Sequence, residues 1–268
     1  MITLLNGETW LPDELTAQMH DADFYYNKLG ITKALSTSSL SQLLNNPEDF
    51  YKDLKGRERK PSDALRMGNL VHWGYLEPEK FYQLTFVDAE RTNAKEFTAA
   101  VTEHGARNVF KAKEQRIAES YVDVLNNKEA LINIRKNAEL EAPAIKMLLD
   151  IPIRGKADMI SGDTIYDLKT TRVNPSEFNW WKVRSLNYDL QAFIYCQLFE
   201  MDYFSFIPIN KMNHRVGIVH CSKDILESGE EKFYKAIEIY KRDFMGKELD
   251  EIADTLSRTI DETIITKP

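Results

Sequence analysis

The chain has 268 residues, 43% of them hydrophobic and 29% charged, with a formal net charge of −7; this is the balance of a globular protein able to build one large core or two modest ones. No apolar run approaches the roughly 20 residues of a membrane-spanning helix, and Met1-Ile2-Thr3-Leu4-Leu5-Asn6-Gly7-Glu8 has no basic region leading into an apolar stretch, so neither a membrane span nor a secretory signal is expected. Two cysteines, Cys196 and Cys221, lack zinc-site spacing and read as reduced thiols in a cytoplasmic protein.

Without repeats, low-complexity stretches or a Gly/Ser/Pro linker, residues 1–268 read as a single domain. The first thirty residues are mixed, with aromatics at Phe24, Tyr25 and Tyr26. Ser36-Thr37-Ser38-Ser39-Leu40 opens a helix, since serine hydroxyls satisfy the free N–H groups of a helix start and Leu40, Leu43 and Leu44 form an apolar stripe. Asn45-Asn46-Pro47 ends it, and Pro47-Glu48-Asp49-Phe50-Tyr51 starts another with proline and acids in the first turn. Lys55 to Pro61 reads as a basic loop and Ala64 to Leu76 as a helix stopped by Pro78. From Lys95 to about Asn137 the pattern is mainly helical, with breaks at His104-Gly105 and Asn126-Asn127.

The texture then changes. Residues 138–149 and 151–160 read as strands, Ser161-Gly162-Asp163 as a turn, and 164–171 as a third strand rich in β-branched and aromatic residues. A helix over 186–199, strands over 203–210 and 216–221 and a long amphipathic helix over 223–245 follow, with a charged segment, 246–268, that reads as an arm or loosely packed tail. Helices, then a strand meander, then helix and strand predict an α/β fold with a mixed sheet flanked by helices.

The chemistry gathers in the meander. Side chains i and i+2 of a strand share a face, about 6.6 Å apart in rise, so Asp167 and Lys169 look the same way. The turn at 161–163 folds Asp158 back beside Asp167, and Glu139 or Glu141 on the preceding strand reaches the same spot. Carboxylates with a lysine suit phosphodiester hydrolysis: hard oxygens favour Mg²⁺ or Mn²⁺, the cation activates water and stabilises the leaving oxygen, and a lysine holds or deprotonates the water. Alone, Asp-Leu-Lys reads as an ordinary half-exposed strand carrying two solvated charges; with Gly155-Lys156-Ala157-Asp158 at hairpin distance upstream the two readings stand level.

Gly155-Lys156-Ala157-Asp158 followed by Asp167-Leu168-Lys169-Thr170-Thr171 resembles the core of the PD-(D/E)xK nuclease superfamily. Ser38-Ser39-Leu40 with Asn46-Pro47-Glu48-Asp49-Phe50-Tyr51 resembles the N-terminal helix of its phage and RecB-type members. Met67-Gly68-Asn69-Leu70-Val71-His72 resembles their Gly-x-x-x-His helix, and Tyr188-Asp189-Leu190-Gln191-Ala192-Phe193-Ile194-Tyr195 their Gln-x-x-x-Tyr helix. The motifs stand in family order between about residues 31 and 245. The set is most similar to the exonuclease VIII (RecE-like) group of phages and prophages, of which Leu76-Glu77-Pro78 and Lys169-Thr170-Thr171 are typical.

The resemblance implies a restriction-endonuclease-like fold and roles for particular residues. Asp158 and Asp167 resemble the metal-bridging acids, Lys169 the catalytic lysine, and His72 a further metal ligand. Glu141 resembles the upstream acid, although Glu139 shares its strand parity. Gln191 and Tyr195, at i and i+4, share a helix face that looks toward the active site. Ser38 resembles the serine that contacts a terminal phosphate, or is a plain N-cap, and Arg66 is a looser phosphate candidate. Trp180, Trp181, Lys182 and Arg184 line a DNA path, or Trp180 and Trp181 serve equally as hydrophobic cover for the sheet edge.

The implied activity is a Mg²⁺- or Mn²⁺-dependent exonuclease that resects linear double-stranded DNA 5′ to 3′, leaving a 3′ tail for an annealing protein, and that assembles into a ring. The net negative charge argues against a protein that coats nucleic acid, but not against an enzyme with a local basic groove. Two other readings stand beside it: a structure-specific or endonucleolytic enzyme on the same fold, and a degenerate DNA-binding subunit. Relatives that carry an iron–sulfur cluster need four cysteines, which the chain lacks, and no phosphate-binding Gly-x-x-x-x-Gly-Lys-Ser/Thr loop is present.

Overall fold

The structure, a computed structural model, describes residues 1–57 and 61–258. In chain order these form β1 (Ile2–Thr3), β2 (Thr9–Trp10), α1 (Pro12–Met19), a π-helical turn (Phe24–Leu29), α2 (Gly30–Lys33), β3 (Leu35–Ser36), α3 (Thr37–Asn45) and α4 (Pro47–Leu54). Next come α5 (Asp63–Leu76), α6 (Pro78–Tyr82), β4 (Thr85–Val87), α7 (Lys95–His104), β5 (Val109–Lys111), α8 (Ala112–Asn126) and α9 (Glu129–Lys136). The meander is β6 (Glu139–Leu148), β7 (Ile151–Ser161) and β8 (Thr164–Thr171), and the chain continues through α10 (Trp180–Ser185), α11 (Tyr188–Phe199), β9 (Tyr203–Asn210), β10 (Val219–His220), α12 (Lys223–Asp243) and α13 (Leu249–Arg258). Among these residues no helix is long and apolar enough to cross a membrane.

The central sheet has six strands, in the order β10-β9-β8-β7-β3 with β6 on the other side of β7. β7 is antiparallel to β6 and β8 and parallel to β3, while β8 is parallel to β9. A mixed sheet with helices on both faces is thus present, as the sequence predicts. One face is covered by α3, α11 and α12 around Leu40, Phe50, Leu190, Phe206 and Phe233. The other is covered by α5, α8 and α9 around Leu70, Tyr75, Tyr121, Leu168 and Ile207.

Local chemistry sets the helix boundaries. Ser36, not Ser38, caps α3: its hydroxyl accepts from the Ser39 N–H, and the Ser39 hydroxyl accepts from the Ser36 N–H. Asn46 caps α4 and Ser62 caps α5. The two-residue turn between β7 and β8 uses Gly162 at φ +62°, which glycine adopts without a Cβ clash.

Several expectations change. The stretch from 95 to 137 contains β5, which pairs in parallel with β4; three apolar-flanked residues are too few to break a helical pattern by eye. The helix over 186–199 is split from α10 by Asn187 in the left-handed conformation. The strand over 216–221 shrinks to Val219–His220 plus one bridge between Val216 and Ile209. The C-terminal segment is not all tail: α13 buries Ile252 against the main core, while residues 259–268 lie outside the described residues, as do 58–60 of the basic loop.

Candidate metal centre

Three carboxylates meet at one level across three neighbouring strands. In the β6–β7 ladder Leu140 faces Met159 and Ala142 faces Ala157, so the register carries Glu141 opposite Asp158. In the β7–β8 ladder Met159 faces Tyr166, and the next pair in register is Asp158 with Asp167. The ladder between β7 and β8 ends at Met159 and Tyr166, and the backbone N–H of Leu168 donates instead to Asp158 Oδ2 at 2.8 Å. The faces change at the same level. Ala157 packs in the α11 core and Met159 in the α5 core, although a period of two would put both on one side. Glu141 itself has φ +53°, a costly conformation for a residue with a Cβ. This local twist turns all three acids toward one point.

The groups around them are close. His72 Nε2 lies 2.9 Å from Asp158 Oδ1 and 3.2 Å from Glu141 Oε1. Lys156 Nζ is 3.1 Å from Glu141 Oε2, and Lys169 Nζ is 2.6 Å from Asp167 Oδ2. Gln191 Nε2 donates to Asp167 Oδ1 at 2.6 Å, and Lys169 also stands over the Tyr188 ring at 4.9 Å.

Burial and crowding of charge displace the titrations. Burial and the nearby Asp158 charge push Asp167 up to about 6, against the pull of Lys169. Burial raises Asp158 too, but His72, Lys169 and the Leu168 N–H outweigh it and hold it below the usual carboxylate range. Burial likewise lifts Glu141. For His72 burial works downward, yet Asp158 and Glu141 carry it up to about 9. Lys169, penalised by burial, is raised by Asp167. One acid prone to hold a proton beside one that stays ionised is the usual signature of a reactive carboxylate pair.

These residues fit a hard divalent cation. Glu141 Oε1 and Asp167 Oδ2 are buried and accept no well-directed hydrogen bond, although His72 and Lys169 stand within 3.2 and 2.6 Å. Oxygen ligands with an imidazole suit a hard or borderline divalent cation rather than a soft one.

Of the residues singled out from sequence, Asp158, Asp167, Lys169, His72, Glu141 and Gln191 are brought together. Glu139 is exposed at the start of β6, so the twist at Glu141 separates the two glutamates that parity left equal. Tyr195 is not on an open face. It is buried, its hydroxyl donates to the Lys156 carbonyl at 3.1 Å, and its ring packs where a Cβ on Gly155 would stand, so it braces β7. Arg66 is held by partners outside the carboxylate row: it donates to the Val109 carbonyl at 2.9 Å, lies 3.7 Å from Glu114 and stacks on Phe110. Ser38 is in the first turn of α3, its hydroxyl 2.9 Å from that of Ser36. Trp180 packs on the core and Trp181 is exposed. Two residues carried no role in the sequence reading: Lys156, whose parity with Asp158 was the available signal, and Glu77, whose ligand oxygen lies within 4.8 Å of those of His72 and Glu141.

Residues 36–262 match the family described as a PDDEXK-like domain of unknown function, DUF3799. The chain belongs to this PDDEXK-like family. Its three acids and Lys169 therefore lie within a PDDEXK-like domain. No curated protein matches the sequence. The fold is similar to that of a presumptive exonuclease from Eubacterium rectale, with a TM-score of 0.63 and 15% identity over 92% of this chain and 96% of that one. Looser overlaps occur with LHK-Exo in complex with dAMP (TM-score 0.37, 8% identity, 84% of this chain and 94% of that) and with a phage related exonuclease from Haemophilus somnus 129PT (0.33, 14%, 78% and 94%).

Proposed function

We propose that the chain is a Mg²⁺- or Mn²⁺-dependent exodeoxyribonuclease that degrades linear double-stranded DNA from the 5′ end and leaves a 3′ single strand. The observation that carries the reading is the row Glu141, Asp158, Asp167 with Lys169 against the last of them. Asp158, Asp167, Glu141 and His72 would hold the cation. When bound, it supplies Lewis-acid stabilisation of the phosphoryl oxygen and of the departing alkoxide.

The chain's own groups do the rest. Lys169, held by Asp167 and Tyr188, is placed to orient a water and to offset charge growing on the phosphate. Gln191 fixes the rotamer of Asp167 by donating to Oδ1. Lys156, paired to Glu141, adds a second cation beside the acids and offsets part of their negative charge toward a phosphodiester. Ser38, in the first turn of α3, supports capture of a terminal phosphate, because helix N-termini offer free N–H groups to anions. A ring of identical chains around the duplex, a phage or prophage setting, cytoplasmic work and delivery of the 3′ tail to an annealing protein complete the reading.

Duplexes labelled at one 5′ or one 3′ end test it. The 5′ label should leave first as a mononucleotide while the 3′-labelled strand persists. The reverse order contradicts the polarity, and internal cuts move the enzyme to the endonuclease reading.

A further inference from the structure

Glu77 stands at the break between α5 and α6. In a continuous helix a residue five positions after His72 would lie about 140° around the axis and face away from it. The helix does not continue, because the residue before a proline is pushed out of the helical region: Glu77 precedes Pro78 and has φ −127° and ψ 59°. It is the N-cap of α6, a place where a side chain commonly accepts from the next turn, yet it makes no capping bond. Its carboxylate turns back instead, and its ligand oxygen comes within 4.8 Å of ligand atoms of both His72 and Glu141.

We propose that Glu77 is a further ligand of a divalent cation, binding it with His72 and Glu141 on the α5 side of the carboxylate row. The proposal rests on the metal-dependent nuclease reading, which supplies the cation. Ligands at about 2.0–2.1 Å from Mg²⁺ sit about 3–4 Å from one another, so three atoms already within 4.8 Å need only small rotations to close on it. Glu141 offers a buried oxygen that accepts no well-directed hydrogen bond. The cations now facing the group, Lys80 at 3.3 Å from Glu77 and Lys156 at 3.1 Å from Glu141, hold the places of compensating charge. Two carboxylates and an imidazole make a hard-to-borderline donor set, one that suits a divalent ion such as Mn²⁺ and not a soft one.

The competing role for Glu77 is a plain ion pair with Lys80, and calorimetric Mn²⁺ titration of the full chain separates the two. Glu77→Gln, nearly isosteric, should weaken Mn²⁺ binding at least about tenfold, the order seen when support around a metal is lost, with its circular dichroism spectrum unchanged. Lys80→Ala should leave the affinity at the wild-type value or tighten it. Equal Mn²⁺ affinity in wild type and Glu77→Gln overturns the proposal, as does equal weakening by the two substitutions or absence of Mn²⁺ binding by the wild type. DNA hydrolysis by the same wild-type sample keeps the outcomes apart. Hydrolysis with no Glu77 effect on binding removes the ligand alone, whereas Glu77-dependent binding without hydrolysis removes the nuclease reading and leaves the ligand standing.

Discussion

The N–H of Leu168 donates to Asp158 Oδ2 at 2.8 Å in the gap where β7 and β8 part. A side chain thus replaces a ladder bond, and one carboxylate both closes the sheet and meets His72 Nε2 with its other oxygen at 2.9 Å. Asp158→Asn keeps an acceptor for Leu168 but removes the charge. The variant should stay folded and lose Mn²⁺ binding in calorimetric titration; retained binding would show that Asp158 is structural.

Gln191 acts through Asp167 alone among the acids, by the 2.6 Å bond to Oδ1. Gln191→Ala frees that rotamer. A drop in kcat of about 10- to 100-fold with little change in melting temperature is expected, as for other groups that orient metal ligands. An unchanged kcat would mean that Lys169 alone sets Asp167.

Proton binding gives the site a pH dependence of known sign. Asp167, held up to about 6, takes up a proton on folding, so its contribution to the metal-free protein is present below its unfolded value and lost as pH rises through about 6. His72, carried up to about 9, contributes stability that is complete below its unfolded value and fades through about 9. A cation needs Asp167 ionised and His72 unprotonated, so it binds more weakly in acid and releases protons near neutrality. The rise in melting temperature on adding Mn²⁺ should therefore be larger at pH 8 than at pH 5, and Mn²⁺ titrations near pH 7.5 should show heats that depend on the buffer. Equal gains at the two pH values, with buffer-independent heats, would contradict these assignments.

Gly229 of α12 touches α11, where a Cβ would lie 2.1 Å from the Asp189 carbonyl oxygen. That contact sits beside the buried Asp189, which pairs with Lys232 at 2.9 Å and accepts from Ser228 at 2.7 Å. Gly229→Ala should cost at least about 1–3 kcal/mol in urea unfolding, and activity should fall because α11 carries Gln191. Wild-type stability would show that the two helices separate freely.

Much of this was legible in the sequence, for physical reasons. The hairpin at 161–163 had a glycine turn between β-branched strands, so the approach of Asp158 to Asp167 followed from pairing alone. Glu139 and Glu141 could not be separated by parity; the positive φ at Glu141 and the exchange of faces at Asp158 depend on how β6 and β7 twist together. Glu77 was hidden because helical periodicity points it away from His72, even though Pro78 marked the break that brings it back. Arg66 and Tyr195 had suitable chemistry, but their partners, Val109 and Lys156, come from distant segments.

The most direct test compares linear and covalently closed circular duplex DNA with Mg²⁺, using wild type and Lys169→Ala. Loss of the linear DNA alone, abolished by the substitution, is the result expected of an end-dependent nuclease built on this site. Degradation of linear DNA undiminished in Lys169→Ala, or no cleavage of either DNA with Mg²⁺ or Mn²⁺, would contradict it.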